Sequence, residues 1–285
     1  MSSAGFYIMA TGAVIAAACA LLGSFLVLRK MAMVGDAVSH AVLPGIVLAF
    51  LISGSRGNLI MLVGAAITGV LTTVLIELLH KKARLQEDAS IGITFTWLFA
   101  IGVILISSFT GQVDLDQDCV LYGEIAYVPL DLLYTSSGTV LGPRALWVGG
   151  GLLLLVVIFV LVGFRGLKIS TFNPEYAKAL GISTAFWHFS FMGLVSLTTV
   201  VSFESVGAIL IVALLVVPAA TAYLLTHRLK AMLLLAVLFG VLASVGGYYL
   251  AAALNGSIAG AMVTVAGILF LLAFGYSRWE NSRKA

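Results

Sequence analysis

The sequence predicts an all-α membrane protein, a polytopic bundle of about 8–9 transmembrane helices forming a single transmembrane domain over residues 1–285. Three observations predict it. Of the residues, 61% are hydrophobic and only 9% charged, where a soluble domain carries about 25% charge. Mean hydropathy is +1.15. The apolar runs are also close to the roughly 20 residues a helix needs to cross a bilayer, whereas a transmembrane barrel alternates over segments of about 10. The net charge of +3 falls to the loops, and no span-free basic stretch offers a nucleic-acid surface.

Nine apolar segments carry the prediction: 5–28, 32–53, 59–79, 91–109, 145–164, 185–203, 206–225, 231–253 and 257–277. The first lacks a basic start and a cleavage site, and Arg29-Lys30 follows it, so it is expected to be a retained span. Cys19 lies in that span and Cys119 in a loop, and no disulfide is expected between them. With the N-terminus outside, every Lys and Arg except Arg56 and Arg144 falls on the inner side, which fixes the orientation.

The second segment carries the chemistry. Within MAMVGDAVSHAVLPGIVLAF (Met31–Phe50), Asp36 and His40 stand four residues apart and share one helix face. An ionisable residue inside a span is costly and marks function by default. Pro44 has no N–H to give the carbonyl of His40 and is expected to bend the span. A carbonyl freed at this depth is tolerable only beside protein or a watery cavity. Carboxylate, imidazole and spare carbonyl together make a place for a divalent cation to pause. The alternative is a pair that only ties this helix to a neighbour.

The third segment ends in Glu77, with Lys81 at i+4, a snorkelling ion pair. The fourth leads into an outer loop, 111–143, that carries Asp114, Asp116, Asp118, Glu124 and Asp131 with no basic residue before Arg144. Its acid alternation resembles the opening of a calcium loop, but Cys119 and Ile125 stand where Gly and Glu are required. What remains is an acidic mouth that touches metal or a solvated loop that meets a partner, with Asp131 a surface residue.

The fifth segment opens the inner loop, 164–184. Asn173 can cap, Pro174 suits the first helical position and Glu175 complements the helix dipole. Gly181 sits where a left-handed stop is wanted. Pro174–Leu180 therefore reads as one short cytosolic helix. The sixth and seventh segments meet at Ser205 with almost no loop, as two full spans or as a bent, partly re-entrant pair. His188, between Trp187 and Phe189, reads as an interfacial belt residue, and Glu204 lies at the outer junction. Pro218 frees the carbonyl of Leu214, for gating or for shape. In the eighth segment the small residues Gly240, Ser244, Gly246 and Gly247 read as helix packing.

Four stretches carry a resemblance: LGSFLVLRKMAMVGDAVSHAVLPG (Leu22–Gly45), DLDQDCVLYGEI (Asp114–Ile125), NPEYAKALGIS (Asn173–Ser183) and VGAILIVALLVVPAATAYLLT (Val206–Thr226). They resemble the permease subunit of ABC importers of the manganese/zinc/iron family, over nearly the whole chain. The resemblance implies an ABC importer permease fold in a bacterial cytoplasmic membrane, with Asp36 and His40 towards the translocation path. It implies an ATPase-coupling helix in which Glu175, Ala177, Ala179 and Gly181 stand for a Glu-Ala-Ala-Gly pattern, led by Asn173 and Pro174. It also implies three partners: an ABC ATPase, an extracytoplasmic metal-binding protein, and a second permease, either identical or a related paralogue. No permanently bound cofactor is implied; manganese, zinc or iron is cargo. The segment at Asp114–Ile125 looks more like the manganese-type branch.

Competing functions separate on residues. The chain has no GxxxxGK[ST] loop, so hydrolysis of ATP is expected in a separate subunit and the chain is not expected to be an enzyme. An intramembrane zinc protease needs an HExxH helix, and His40 is followed by Ala41 and Val42. A serine mechanism needs a base positioned on Ser39, and the adjacent His40 points elsewhere on the helix. A secondary, proton-coupled metal transporter can use Asp36 and His40 as a proton relay. It has no use, however, for an ATPase-docking helix.

Overall fold

The computed structural model describes residues 3–53, 58–109, 125–134 and 140–284. Its helices are α1 (Ser3–Leu28), α2 (Val34–Ala41), α3 (Leu43–Ser53), α4 (Asn58–Lys82), α5 (Glu87–Phe109), α6 (Arg144–Phe172), α7 (Pro174–Ala179), α8 (Thr184–Val206), α9 (Ala208–Leu225), α10 (Leu229–Leu254) and α11 (Ile258–Lys284). Between α5 and α6 stand a 3-10 helix (Ile125–Leu130) and a two-stranded antiparallel hairpin, β1 (Leu132–Tyr134) and β2 (Val140–Pro143). Among the described residues, nine helical stretches are long and apolar enough to cross a membrane, the expected number.

Three features differ from the sequence reading. The second span, Val34–Ser53, is two helices interrupted at Val42, because Pro44 supplies no N–H to continue the first ladder. The second ladder restarts as the amides of Gly45 and Ile46 both donate to the carbonyl of Val42. The fifth span does not stop at 164: α6 runs on to Phe172, since nothing in RGLKISTF breaks a helix. The outer loop holds the hairpin, which paired strands too short to show alternation did not announce. At the junction of the sixth and seventh spans, α8 and α9 are separated by Gly207 alone, at φ +79°. That left-handed conformation is one glycine adopts without strain.

The described chain divides into two compact units. The first comprises Met1–Ala32, Gly123–Phe164 and Ser205–Ala285. Within it α1 packs on α9 and α10, and α10 on α11, around a core that includes Ala20, Ala222, Met232 and Ala236. The small residues act as expected from membrane packing. A Cβ on Gly23 would run into the carbonyl of Leu215, and one on Gly247 into the backbone of Met262. Gly240 lies against Ala16, and the Ser244 hydroxyl donates to the carbonyl of Met9 at 3.2 Å. Past the end of α1, burial pulls the Arg29 guanidinium down to about 10, which leaves it charged at neutral pH.

The second unit comprises Met33–Tyr122 and Arg165–Glu204. In it α4 packs on α2, α3 and α5. Gly45 of α3 and Gly64 of α4 meet backbone to backbone, where no side chain fits. The interior is lined by hydroxyls that donate back to their own helices: Thr68 to Gly64, Thr72 to Thr68 and Thr94 to Ser90, at 2.6–2.8 Å. The outward faces carry Ile52, Ile67 and Ile104, all exposed. Apolar outside with small and hydroxylated residues inside is the pattern of a bundle solvated by lipid tails.

The close approach at Gly23 sets up a stability test. Gly23→Ala forces a methyl onto the α9 backbone and should destabilise the protein by about 1–3 kcal/mol. Gly151→Ala, in open space on α6, should be neutral. Thermal unfolding in detergent reads both, and equal midpoints would show that α1 and α9 are not closely apposed.

Candidate functional site

Asp36 and His40 lie where their spacing puts them, on one face of α2. His40 Nε2 is 3.6 Å from Asp36 Oδ1, with the side chains 33% and 39% exposed. Neither is sunk in the core. The backbone beneath them is fixed: Val34, Ala37, Val38 and Ala41 bury the opposite face, and the Ser39 hydroxyl donates to the carbonyl of Asp36 at 2.6 Å. The imidazole rests beside Phe95 and Phe99 of α5, with ring centroids 5.8 and 6.0 Å away.

Two donors about 2.1 Å from a single ion stand about 3.0–3.4 Å apart at octahedral or tetrahedral angles. The observed 3.6 Å therefore needs only a small side-chain adjustment to grip one cation. Among the described residues no group of three His, Cys, Asp or Glu side chains gathers around an ion position. The pair by itself could offer a cation two donors, one oxygen and one nitrogen. Pro44 follows the break in this span, at the second position of α3, and is buried. Pro218 is buried within α9, which stays a single helix around it.

The short helix is built as its sequence demands. The amide of Tyr176 donates to Asn173 Oδ1 at 2.9 Å, a side-chain N-cap, with Pro174 at the first position. It stops at Ala179, one residue short of the expected Leu180, in a double lock. The Gly181 amide donates to the carbonyl of Lys178 at 3.0 Å and the Ile182 amide to that of Ala177 at 2.9 Å. With Gly181 at φ +74°, this is the six-to-one and five-to-two pairing of a Schellman stop. Ala177 is fully buried, while Pro174, Glu175, Ala179 and Gly181 are exposed, along with Tyr176 and Leu180. One methyl anchors the helix and its remaining faces are open.

Asp114, Asp116, Asp118 and Glu124 of the acidic loop, and Cys119 with them, lie outside the described residues. Asp131 is exposed, and its carbonyl accepts the amide of Arg144 at 2.9 Å, a turn contact beside the hairpin.

One pairing was missed in the sequence. Glu77 does pair with Lys81, but it is buried and also meets His188 Nε2 of α8 at 3.1 Å. His188 is therefore turned inward onto a carboxylate instead of standing in an interfacial belt. The signal was available, because the order of the spans puts Glu77 and His188 at the same membrane level. Which neighbours face each other at that level is a tertiary matter.

Residues 6–277 match the model of the ABC 3 transport family. The chain is 50% identical over 271 residues to the manganese transport system membrane protein MntD of Bacillus subtilis, covering 95% of this chain and 91% of that protein. It is 42% identical to the zinc transport system membrane protein TroD of Treponema pallidum, covering 93% and 71%. Among solved structures, PsaBC from Streptococcus pneumoniae in complex with Fab superposes with a TM-score of 0.77 at 31% identity, covering 96% and 92% of the two chains.

The caps of α7 set its stability. Asn173→Ala removes the side-chain acceptor and Gly181→Val puts a branched residue at positive φ, each costing about 1 kcal/mol or more. Amide hydrogen exchange across 174–182 should accelerate roughly fivefold per kcal/mol. Unchanged exchange in both variants would show that other contacts hold the helix.

Proposed function

This chain belongs to the ABC 3 transport family, as a membrane-spanning permease of ATP-driven metal importers, and from that premise we propose that Asp36 and His40 form a station for the ion and that the ion is manganese. The observation that carries the proposal is the pair itself: a carboxylate and an imidazole 3.6 Å apart, partly exposed, beside a broken span. A charge at this depth costs at least about 2.5–3.5 kcal/mol on insertion scales. Packing alone gives no return for that cost, because an apolar pair would fill the same volume. A mixed oxygen and nitrogen donor set suits manganese while remaining open to zinc and iron. The manganese assignment draws on the 50% identity to MntD. Two ligands hold an ion weakly enough for it to leave, as transport requires.

The partners follow from the same reading. The exposed face of α7, with Glu175 and Ala179, takes the ATPase subunit, and its capped ends make it stiff enough to carry a push. The acidic loop at Asp114, Asp116, Asp118 and Glu124 meets the extracytoplasmic metal-binding protein. A second permease, identical or related, completes the ion's coordination beside Asp36 and His40, and both compact units serve one permease domain. Pro44 and Pro218 give their spans the bends on which opening turns. With the N-terminus outside, α7 lies in the cytosol of a bacterial cell. Proton relay by Asp36 and His40 in a secondary carrier leaves α7 without a task.

Asp36→Asn keeps shape and hydrogen bonding but removes the charge, and His40→Leu removes the nitrogen ligand with little loss of volume. Both variants should reach the membrane and retain the ATPase while manganese uptake per intact complex falls by about tenfold or more, the effect of losing roughly 1.4 kcal/mol or more of binding. Near-normal uptake per complex in both would return the pair to the scaffold.

A further inference from the structure

We infer that Glu77 and His188 are positioning residues: their bond is the link through which movement of α7 reaches the helix that carries Asp36 and His40. This rests on the reading of α7 as the ATPase-docking helix. The inference starts from how α8 is mounted. Four residues separate Ala179, the end of α7, from Thr184, the start of α8, and none of them is slack. Gly181 and Ile182 are tied back to α7 by the Schellman pair, and the Ser183 hydroxyl accepts the amide of Phe186 at 3.2 Å. A shift of α7 is therefore handed on to the first turn of α8.

That turn is held on two sides. Trp187 lies against Gly166 near the end of α6, where any side chain would overlap the indole. His188, one residue on and so about 100° around the helix, reaches Glu77 of α4. The imidazole–carboxylate contact is directional in a way that apolar packing is not. Lys81, on the same helix as Glu77, pairs with the same carboxylate, so it joins no second helix.

From Glu77 the path runs along α4. Eight residues back, Gly69 lies so close to Ser196 of α8 that no Cβ fits, and Ser196 is eight residues beyond His188. The two helices thus meet at two points about 12 Å apart, running in opposite directions. At Gly69 a third helix joins: a Cβ there would stand 3.4 Å from Cγ1 of Val38, the α2 residue midway between Asp36 and His40. A glycine at this crossing lets the side chains of Val38 from α2 and Ser196 from α8 bear directly on the α4 backbone. The imidazole–carboxylate contact at the far end stops α8 from turning independently of α4.

The test uses the full chain assembled with its ATPase and metal-binding subunits in proteoliposomes, and reads manganese ions moved per ATP hydrolysed. His188→Leu should lower that ratio by on the order of fivefold, the lower end of typical coupling between sites, with complex recovery unchanged. His188→Gln, whose amide can still donate to Glu77, should keep most of it. The double variant Glu77→Leu/His188→Leu, which removes both polar partners and refills the volume, should assemble and be as uncoupled as His188→Leu. An unchanged ratio in His188→Leu or in the double variant overturns the inference. So does a His188→Gln variant as uncoupled as His188→Leu, or uptake that falls only in step with recovered complex. If the wild-type assembly itself shows no ATP-dependent uptake, the docking-helix reading falls first and takes this one with it.

Discussion

In a hydrocarbon layer each backbone amide must find its partner inside its own segment, because no water is present to take its place. Every feature of this chain is arranged around that requirement. It makes the spans helical throughout and makes a helix end an event that needs its own chemistry. The only interruption within a described span, at Val42, is repaired at once as Gly45 and Ile46 share one carbonyl. That repair lets a proline sit beside an ionisable pair without leaving the span in two loose pieces. The same requirement explains why the buried hydroxyls Thr68, Thr72 and Thr94 donate to carbonyls of their own helices. They bring polarity into the interior without drawing on a neighbour.

Lipid tails are as apolar as leucine, so helices gain little by hiding apolar surface from them. Close approach has to supply the cohesion. In the first unit this falls to Gly23 against Leu215 and Gly247 against Met262. In the second it falls to Gly45 against Gly64 and to Gly69 against Ser196. The second unit adds a carboxylate–imidazole contact, between Glu77 and His188, that joins two helices by a directional bond. That unit also holds the Asp36–His40 pair of α2 and the capped helix α7. A permease must move one part in response to another, and polar ties transmit rotation where smooth apolar faces slip.

Much of this was legible in the sequence. The spans follow from hydropathy because the bilayer thickness sets their length. Asp36 and His40 follow from the cost of charge at depth and from the helical repeat. The short helix follows from Asn173, Pro174 and Gly181, whose effects on the backbone are local and need no partner. The run of α6 to Phe172 was less legible, since hydropathy reports where lipid ends and not where a helix ends. The hairpin was less legible still, its strands being too short for a period of two to declare itself.

The sequence by itself determined the class, the spans, the placing of Asp36 and His40 on one face of α2 and the caps of α7, because each depends on residues within a few positions of one another. Only the tertiary structure decided that His188 turns inward to Glu77, that Gly69 is a crossing point for three helices, and that Phe95 and Phe99 flank His40. Those contacts depend on which helix stands beside which and at what rotation. Spans that are apolar all round leave that choice open, and close approach between distant residues makes it.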